Sequence, residues 1–135
     1  MKTFDVQSIE LEVPGEQAFA YLADPARLPE WTSAFARVEG GRARLRTPAG
    51  ETEIDLAVQA HAEAGTVDWK MGFGDGSIAM AYSRLVPSGV GRCIYSFVLM
   101  APPVPLEQLE GALAEQSRTL AEELGTLRRV LKRHG

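Results

Sequence analysis

The sequence predicts an α+β fold: a curved antiparallel β-sheet wrapped around a long C-terminal helix, with two short helices after the first strand. Three observations carry this. Turn signals recur at hairpin spacing through residues 34–101, the registers they imply agree on one apolar face, and one leucine stripe runs through residues 105–133. The 135 residues are enough for one real core, so 1–135 is read as a single domain.

Residues 3–13 read as a strand, because Ile9, Leu11 and Val13 alternate with Ser8, Glu10 and Glu12. Phe4 and Val6 have the opposite parity, which implies a bulge near Gln7-Ser8 or a strand that is apolar on both faces. Pro14 stops the strand. "PGEQAFAYLA" follows as a short helix with Phe19 and Leu22 on one face. "DPARLPE" forms a second helical turn, with Asp24 as N-cap and Pro25 at the first helical position.

Turn signals then fall at Gly40-Gly41, Ala49-Gly50, Ala64-Gly65, Asp75-Gly76 and Ser88-Gly89. Taken as two-residue loops, the last four set the pairings. Leu45 opposes Ile54, Val58 opposes Met71 and Ala60 opposes Trp69. Trp69 then opposes Tyr82, Met71 opposes Met80, and Phe73 opposes Ile78; Tyr82 opposes Tyr95 and Met80 opposes Phe97. Opposed residues share a face. One face therefore carries Leu45, Ile54, Leu56, Val58, Trp69, Met71, Phe73, Ile78, Met80, Tyr82, Tyr95, Phe97 and Leu99. Glu53, Asp55, Gln59, His61, Asp68, Lys70 and Ser83 fall on the other, which suits solvent. Ile94, Val98 and Met100 also point outward, as residues covered by a neighbouring strand or a partner subunit would.

Residues 105–133 read as one helix, with Pro105 in its first turn and Glu107 near the positive end of the dipole. Leu106, Leu109, Leu113, Leu120, Leu124, Leu127 and Leu131 make a stripe about eight turns long. Gln116 and Ser117 interrupt it. The only large apolar surface available to this helix is the inner face of the meander.

Hydrophobic residues make up 45% and charged residues 24%, and the net charge is -4. That balance excludes nucleic acid as the main partner, despite the basic "RRVLKR". Cys93 is the one cysteine, so no intrachain disulfide forms, which fits a reducing compartment. "MKTFDVQSIELEV" lacks the apolar core of a signal peptide, and no stretch approaches the roughly 18 apolar residues of a membrane span. A cytoplasmic protein, monomer or homodimer, is expected.

"IELEVPGEQAFAYLADPARLPEW" (9–31), "GTVDWKM" (65–71), "SRLVPSGVGRCIYSF" (83–97) and the terminal leucine helix together resemble the helix-grip fold of the START-like or SRPBCC superfamily. That group includes polyketide cyclase/dehydrase-like proteins, lipid-transfer domains and birch-pollen-allergen-like proteins. The resemblance covers essentially the whole chain. It implies that an apolar small molecule is held between sheet and helix, with a pocket mouth near the turn that ends at Trp31. Among proteins of this kind some cyclise polyketides, some carry lipids or quinones, and some bind proteins.

A helix over a concave sheet can enclose a hollow, and apolar hollows with a few polar groups are the usual form of small-molecule sites. The expected lining is Trp69, Met80, Tyr82, Tyr95 and Phe97, with Trp31 closing one end. Polar groups read as inward are Arg84, Tyr82, Tyr95, Cys93, Gln116 and Ser117. Arg84 either binds a ligand carboxylate, enolate or carbonyl, or lies at the strand end and reaches water. The tyrosines either hydrogen-bond a ligand or serve as core aromatics. Gln116 and Ser117 either orient a ligand or face solvent.

Catalytic machinery is sparse. General acid–base chemistry needs a titratable group at the reacting atom. His61, Asp55 and Asp68 point outward, His134 lies at the tail, and Asp24 and Glu30 reach a pocket mouth only from the helical turn. Cys93 has no inward histidine to activate it, no zinc-like spacing occurs, and "GFGDGS" sits in a hairpin rather than before a helix. The leading reading is binding or carriage of a lipid, quinone or polyketide-like molecule, with no cofactor or metal. The alternative is a polyketide cyclase/dehydrase-like enzyme that holds a reactive chain in shape while Arg84 or a tyrosine polarises a carbonyl. A third is a protein-interaction module with a filled core.

Overall fold

The computed structural model describes residues 3–47, 50–100 and 106–134, and the side chains of these except 47, 106–110 and 134. Seven strands form one antiparallel sheet in the order β1-β7-β6-β5-β4-β3-β2. Strand β1 (Phe4–Leu11) leads into α1 (Gly15–Leu22), a 3₁₀ turn (Pro25–Arg27) and α2 (Leu28–Trp31). The meander follows as β2 (Phe35–Glu39), β3 (Arg42–Thr47), β4 (Gly50–His61), β5 (Thr66–Gly72), β6 (Ile78–Gly89) and β7 (Arg92–Met100), and the chain closes with α3 (Leu106–His134).

The helical corner forms as its residues dictate. Asp24 accepts a hydrogen bond from the Ala26 N–H at 3.1 Å, and Pro25 opens the 3₁₀ turn. Gly40 and Gly41 supply the two positive φ angles, 58° and 80°, of the tight β2–β3 hairpin. At Gly65 (φ 72°) a side chain would run into the Leu85 carbonyl, so the β4–β5 turn closes only on glycine.

Strand β1 pairs with β7 without a register shift, so it has two apolar faces and no bulge. Ile9 and Leu11 turn inward while Phe4 and Val6 are exposed, which places Asp5 and Gln7 on the inner side. At β3–β4 and β4–β5 the pairing moves by an even step from the expected one: Ala43 opposes Ile54, and Val58 opposes Trp69. Faces are therefore kept.

Strand β6 is the exception. The Asp75-Gly76 signal sits inside a five-residue loop, 73–77, because Gly72 opposes Ile78. Asp75 Oδ1 accepts from the Ser77 N–H at 2.9 Å, and Ser77's carbonyl accepts from Phe73 N–H at 2.9 Å. The β6–β7 turn falls at Val90-Gly91 instead of Ser88-Gly89, with a bulge between Pro87 and Gly89. Both displacements are odd, so β6 is inverted and β7 is restored. Trp69 opposes Ala81, Lys70 opposes Met80, and Tyr82 opposes Val98. Ile78, Met80, Tyr82 and Arg84 thus lie on the outer face, and Ser83, expected outside, is buried.

Helix α3 buries Leu113, Leu120, Leu124, Leu127 and Leu131. Leu106 and Leu109, the first two leucines of the expected stripe, have side chains outside the described residues. Steps of four and three from Leu113 to Leu120 pass through Ser117, so Ser117 alone takes the missing leucine's place; Gln116 is exposed. The helix packs against β1 and α2. The core joins Leu120, Leu124, Leu127 and Leu131 to Leu11, Leu22, Leu28, Trp31, Ile54, Leu56, Val67, Trp69 and Tyr95. Among the described residues, no helix is long and apolar enough to cross a membrane.

Candidate functional site

Burial changes along the concave face in the same direction on four neighbouring strands. On β7, Cys93 and Tyr95 are buried while Phe97 and Leu99 are half-buried; on β5, Val67 and Trp69 are buried while Met71, and Phe73 just beyond the strand, are half-buried. Leu85 and Ser83 give way to Ala81 and Ala79 on β6, and Leu11 gives way to Ile9, Gln7 and Asp5 on β1. One end of the trough is closed by the helical corner and the leucine-rich half of α3. The other is half-open, and there Ser117 interrupts the stripe.

Small residues on β6 let the aromatic rings cross it. Trp69 leans over from β5 to stack on Phe97 of β7, with ring centroids 6.0 Å apart and planes at 27°. Trp31, the last residue of α2, meets Tyr95 edge-on at 6.4 Å and Trp69 at 6.5 Å. It therefore plugs the closed end, where the Pro-bracketed turn delivers it. Tyr95 is 0% and Trp69 3% exposed; Tyr95 Oη lies beside the Ser83 hydroxyl, whereas Trp69 Nε1 is a buried polar atom with no hydrogen-bond partner among the described residues. Such an atom is uncommon, since a buried polar group normally has a partner. Burial pushes the Tyr95 phenol well up, and the Asp68 charge adds to this while the Ser83 hydroxyl opposes it. Tyr95 is thus a neutral donor at ordinary pH, and the indole N–H is a donor only.

Three inner-face groups escape notice in the sequence. Gln7 Nε2 donates to Asp5 Oδ2 at 2.9 Å and to the Ser117 carbonyl at 2.7 Å, at the half-open end. Ser83 donates its hydroxyl to the Val67 carbonyl, and Asp68 Oδ1 accepts from the Ser83 N–H at 3.3 Å. The available signal was parity: Asp5 and Gln7 alternate with Ile9, and Ala79, Ala81 and Ser83 form a small-residue row.

Of the expected site residues, the structure brings together Trp31, Trp69, Tyr95 and Phe97. It does not bring Arg84, Tyr82, Met80 or Gln116 to them. Arg84 is exposed and donates from Nε to the Ala64 carbonyl at 3.2 Å; Tyr82 and Met80 share its outer face, and Gln116 lies on the solvent side of α3. Cys93 is inward as expected, and burial, with help from Glu10, pushes its thiol up, so it stays protonated.

The helical corner carries its own polar contacts. Tyr21 Oη donates to Glu30 at 2.9 Å, and Arg27 pairs with Glu30 at 2.9 Å. Asp24 borders a surface hollow of about 290 Å³ with Gln17, Tyr21, Arg27 and Leu131. A second hollow, about 280 Å³, lies between Pro25, Val38, Gly41 and Leu56. Both sit outside the trough. Glu123 of α3 accepts from the Ser33 N–H at 2.6 Å, which ties α2's exit to the helix, and burial raises its pKa.

Solved structures share this arrangement. A START superfamily protein from Mycobacterium smegmatis is 13% identical, with a TM-score of 0.70 over 99% of this chain and 100% of that one. A conserved protein from Geobacillus kaustophilus is 14% identical, with a TM-score of 0.69 over 96% and 95%. The di-domain ARO/CYC BexL from the BE-7585A biosynthetic pathway is 14% identical, with a TM-score of 0.68 over 96% of this chain and 46% of that one. At these identities the likeness is one of fold. No curated protein matches the chain. Residues 5–132 match the family described as polyketide cyclase / dehydrase and lipid transport, and the chain belongs to that family.

Proposed function

We propose that the protein binds an uncharged, largely apolar small molecule bearing an acceptor oxygen, held in the half-open part of the trough beneath α3. A lipid ester, a quinone and a polyketide-like aromatic ketone all fit this chemistry. The observation that carries the reading is the buried Trp69 Nε1, a donor with no partner among the described residues, on a ring that stacks on the half-buried Phe97 at the edge of the half-open end. A ligand oxygen that accepts from it would remove a desolvation cost of about 1–3 kcal/mol. The graded burial supports an entry from the Phe97–Leu99 end. Native mass spectrometry of protein purified from its own host tests this. Co-purification of an apolar ligand is expected. Empty protein, together with no change in melting temperature on adding fatty-acid esters or quinones, would sink it.

A second reading, a cyclase-type enzyme in the same trough, draws on Asp5, an inner-face carboxylate beside Gln7. It requires Asp5→Asn to abolish turnover of a polyketide substrate while ligand affinity stays unchanged.

A further inference from the structure

The convex face of the sheet is divided. Over β2, β3 and β4 it is a lattice of ion pairs: Arg44 meets Glu51 at 2.7 Å and Glu53 at 3.1 Å, and Arg42 meets Asp55 at 2.7 Å. Over β1, β7 and β6 it is apolar. Phe4 opposes Met100, Val6 opposes Val98, Val98 opposes Tyr82, and Ile94 opposes Val86. Apart from the half-buried Val98, these side chains are 38–50% exposed, and Ile78 beside them is 59% exposed.

We propose that this apolar half is the contact surface between two copies of the chain. The area is the first argument. Its side chains expose on the order of 500 Å² of apolar surface, the size of the largest and often functional patch of a typical monomer (about 300–600 Å²) and over half of the roughly 800 Å² each partner gives a standard interface. Polar satisfaction is the second. In the middle of the patch the Ser8 and Ser96 hydroxyls bond each other at 2.8 Å, and Arg84 already donates to Ala64, so covering the face strands few polar groups.

Self-complementarity is the third. A two-fold axis along β7, the central strand of the patch, lays β1 of one copy over β6 of the other. Heights along the strands are kept. Arg84 stands in the row of Ser96 and Ser8, two residues from Glu10. Across the roughly 10 Å between packed sheets, Arg84 then stands over the partner's Ser8, two residues along the strand from Glu10, a step its long side chain spans. Glu10, which in its own chain pairs with Arg92 at 3.9 Å and accepts from Ser88 at 3.3 Å, meets it at the edge of the patch, and the reverse contact forms by symmetry.

Sedimentation velocity over a wide concentration range tests the proposal, with circular dichroism as the check on folding. A reversible dimer is expected for the wild type, and loss of the dimer for Val6→Glu and for Tyr82→Glu. Glu10→Arg should weaken the dimer, and Glu10→Arg combined with Arg84→Glu should restore it. A wild type that stays monomeric at the highest concentration overturns the proposal, and co-sedimentation of that monomer with anionic phospholipid vesicles would assign the face to a lipid surface instead. A dimer untouched by both folded apolar variants overturns it as well.

Discussion

Gln7 and Ser117, 110 positions apart, are joined by a 2.7 Å hydrogen bond from the side-chain amide to the helix carbonyl. The contact ties β1 to α3 at the one break in the leucine stripe. Because the same amide also serves Asp5, it organises the polar rim of the half-open end. Gln7→Ala should cost about 1 kcal/mol and lower Tm by about 3–5 °C, as followed by thermal denaturation. A variant as stable as wild type would show the bond to be energetically idle.

The buried Trp69 N–H makes a prediction about ligand class. Naphthoquinone and naphthalene share a shape but differ in acceptor oxygens. Calorimetry should find the quinone bound about ten-fold more tightly, the ~1.4 kcal/mol of one buried hydrogen bond. Trp69→Phe keeps a ring against Phe97 and removes the N–H, so it should abolish the preference and leave naphthalene binding intact. Equal affinities in the wild type would refute the role of the Trp69 N–H; no binding of either would refute the trough as a site.

Glu123 sets a pH dependence. Burial raises its carboxyl pKa, the Glu122 charge adds to that, and the Ser33 and Ala34 hydrogen bonds oppose it. Above the ordinary carboxylate value and up to the raised one, the folded state binds more protons than the unfolded state. Stability therefore falls as pH rises through that window. Glu123→Gln keeps an acceptor for Ser33 and removes the titration. Urea denaturation between about pH 4 and about pH 7 should show the variant gaining on wild type with rising pH. A constant gap would assign no linkage to Glu123.

Gly65 bears on stability more than its exposure suggests. Its left-handed φ and the Leu85 carbonyl above it leave no room for a side chain, while its own carbonyl accepts from the Leu85 N–H at 2.8 Å. Gly65→Ala should cost about 2 kcal/mol or more by urea unfolding. Gly74→Ala, in open space, should cost under about 1 kcal/mol and is the control.

Much of this is legible in the residues, and the misses have one cause. The order of elements, the Asp24 cap, the leucine stripe and the inward Trp69, Tyr95 and Phe97 follow from periodicity and turn chemistry. Loop length does not. Asp75-Gly76 signals a turn, yet nothing local says that Phe73 and Ser77 will close the loop instead of pairing as strand. Strand β6 offered no correction, since Met80 and Tyr82 look like core and Ala81 and Ser83 look like surface. Its neighbours β5 and β7 bring the large rings, so small residues are what the inner face there requires. In α3, counting from Leu113 separates Ser117 from Gln116, but only contact with Gln7 reveals what Ser117 is for.

The five-residue loop between β5 and β6 has a consequence for how this trough evolves. Because β6 is apolar on both sides, hydrophobicity alone holds neither side in; the parity of the loop decides. Deleting one residue between Phe73 and Ser77, with a matching change at the Pro87–Gly89 bulge, would turn the strand over like a card. Ala81 and Ser83 would leave the interior, and Tyr82 and Arg84 would enter it. The inner face of β6 would gain a guanidinium without a single substitution in any strand, so insertions and deletions at this hairpin are a route by which one fold changes the charge of its interior.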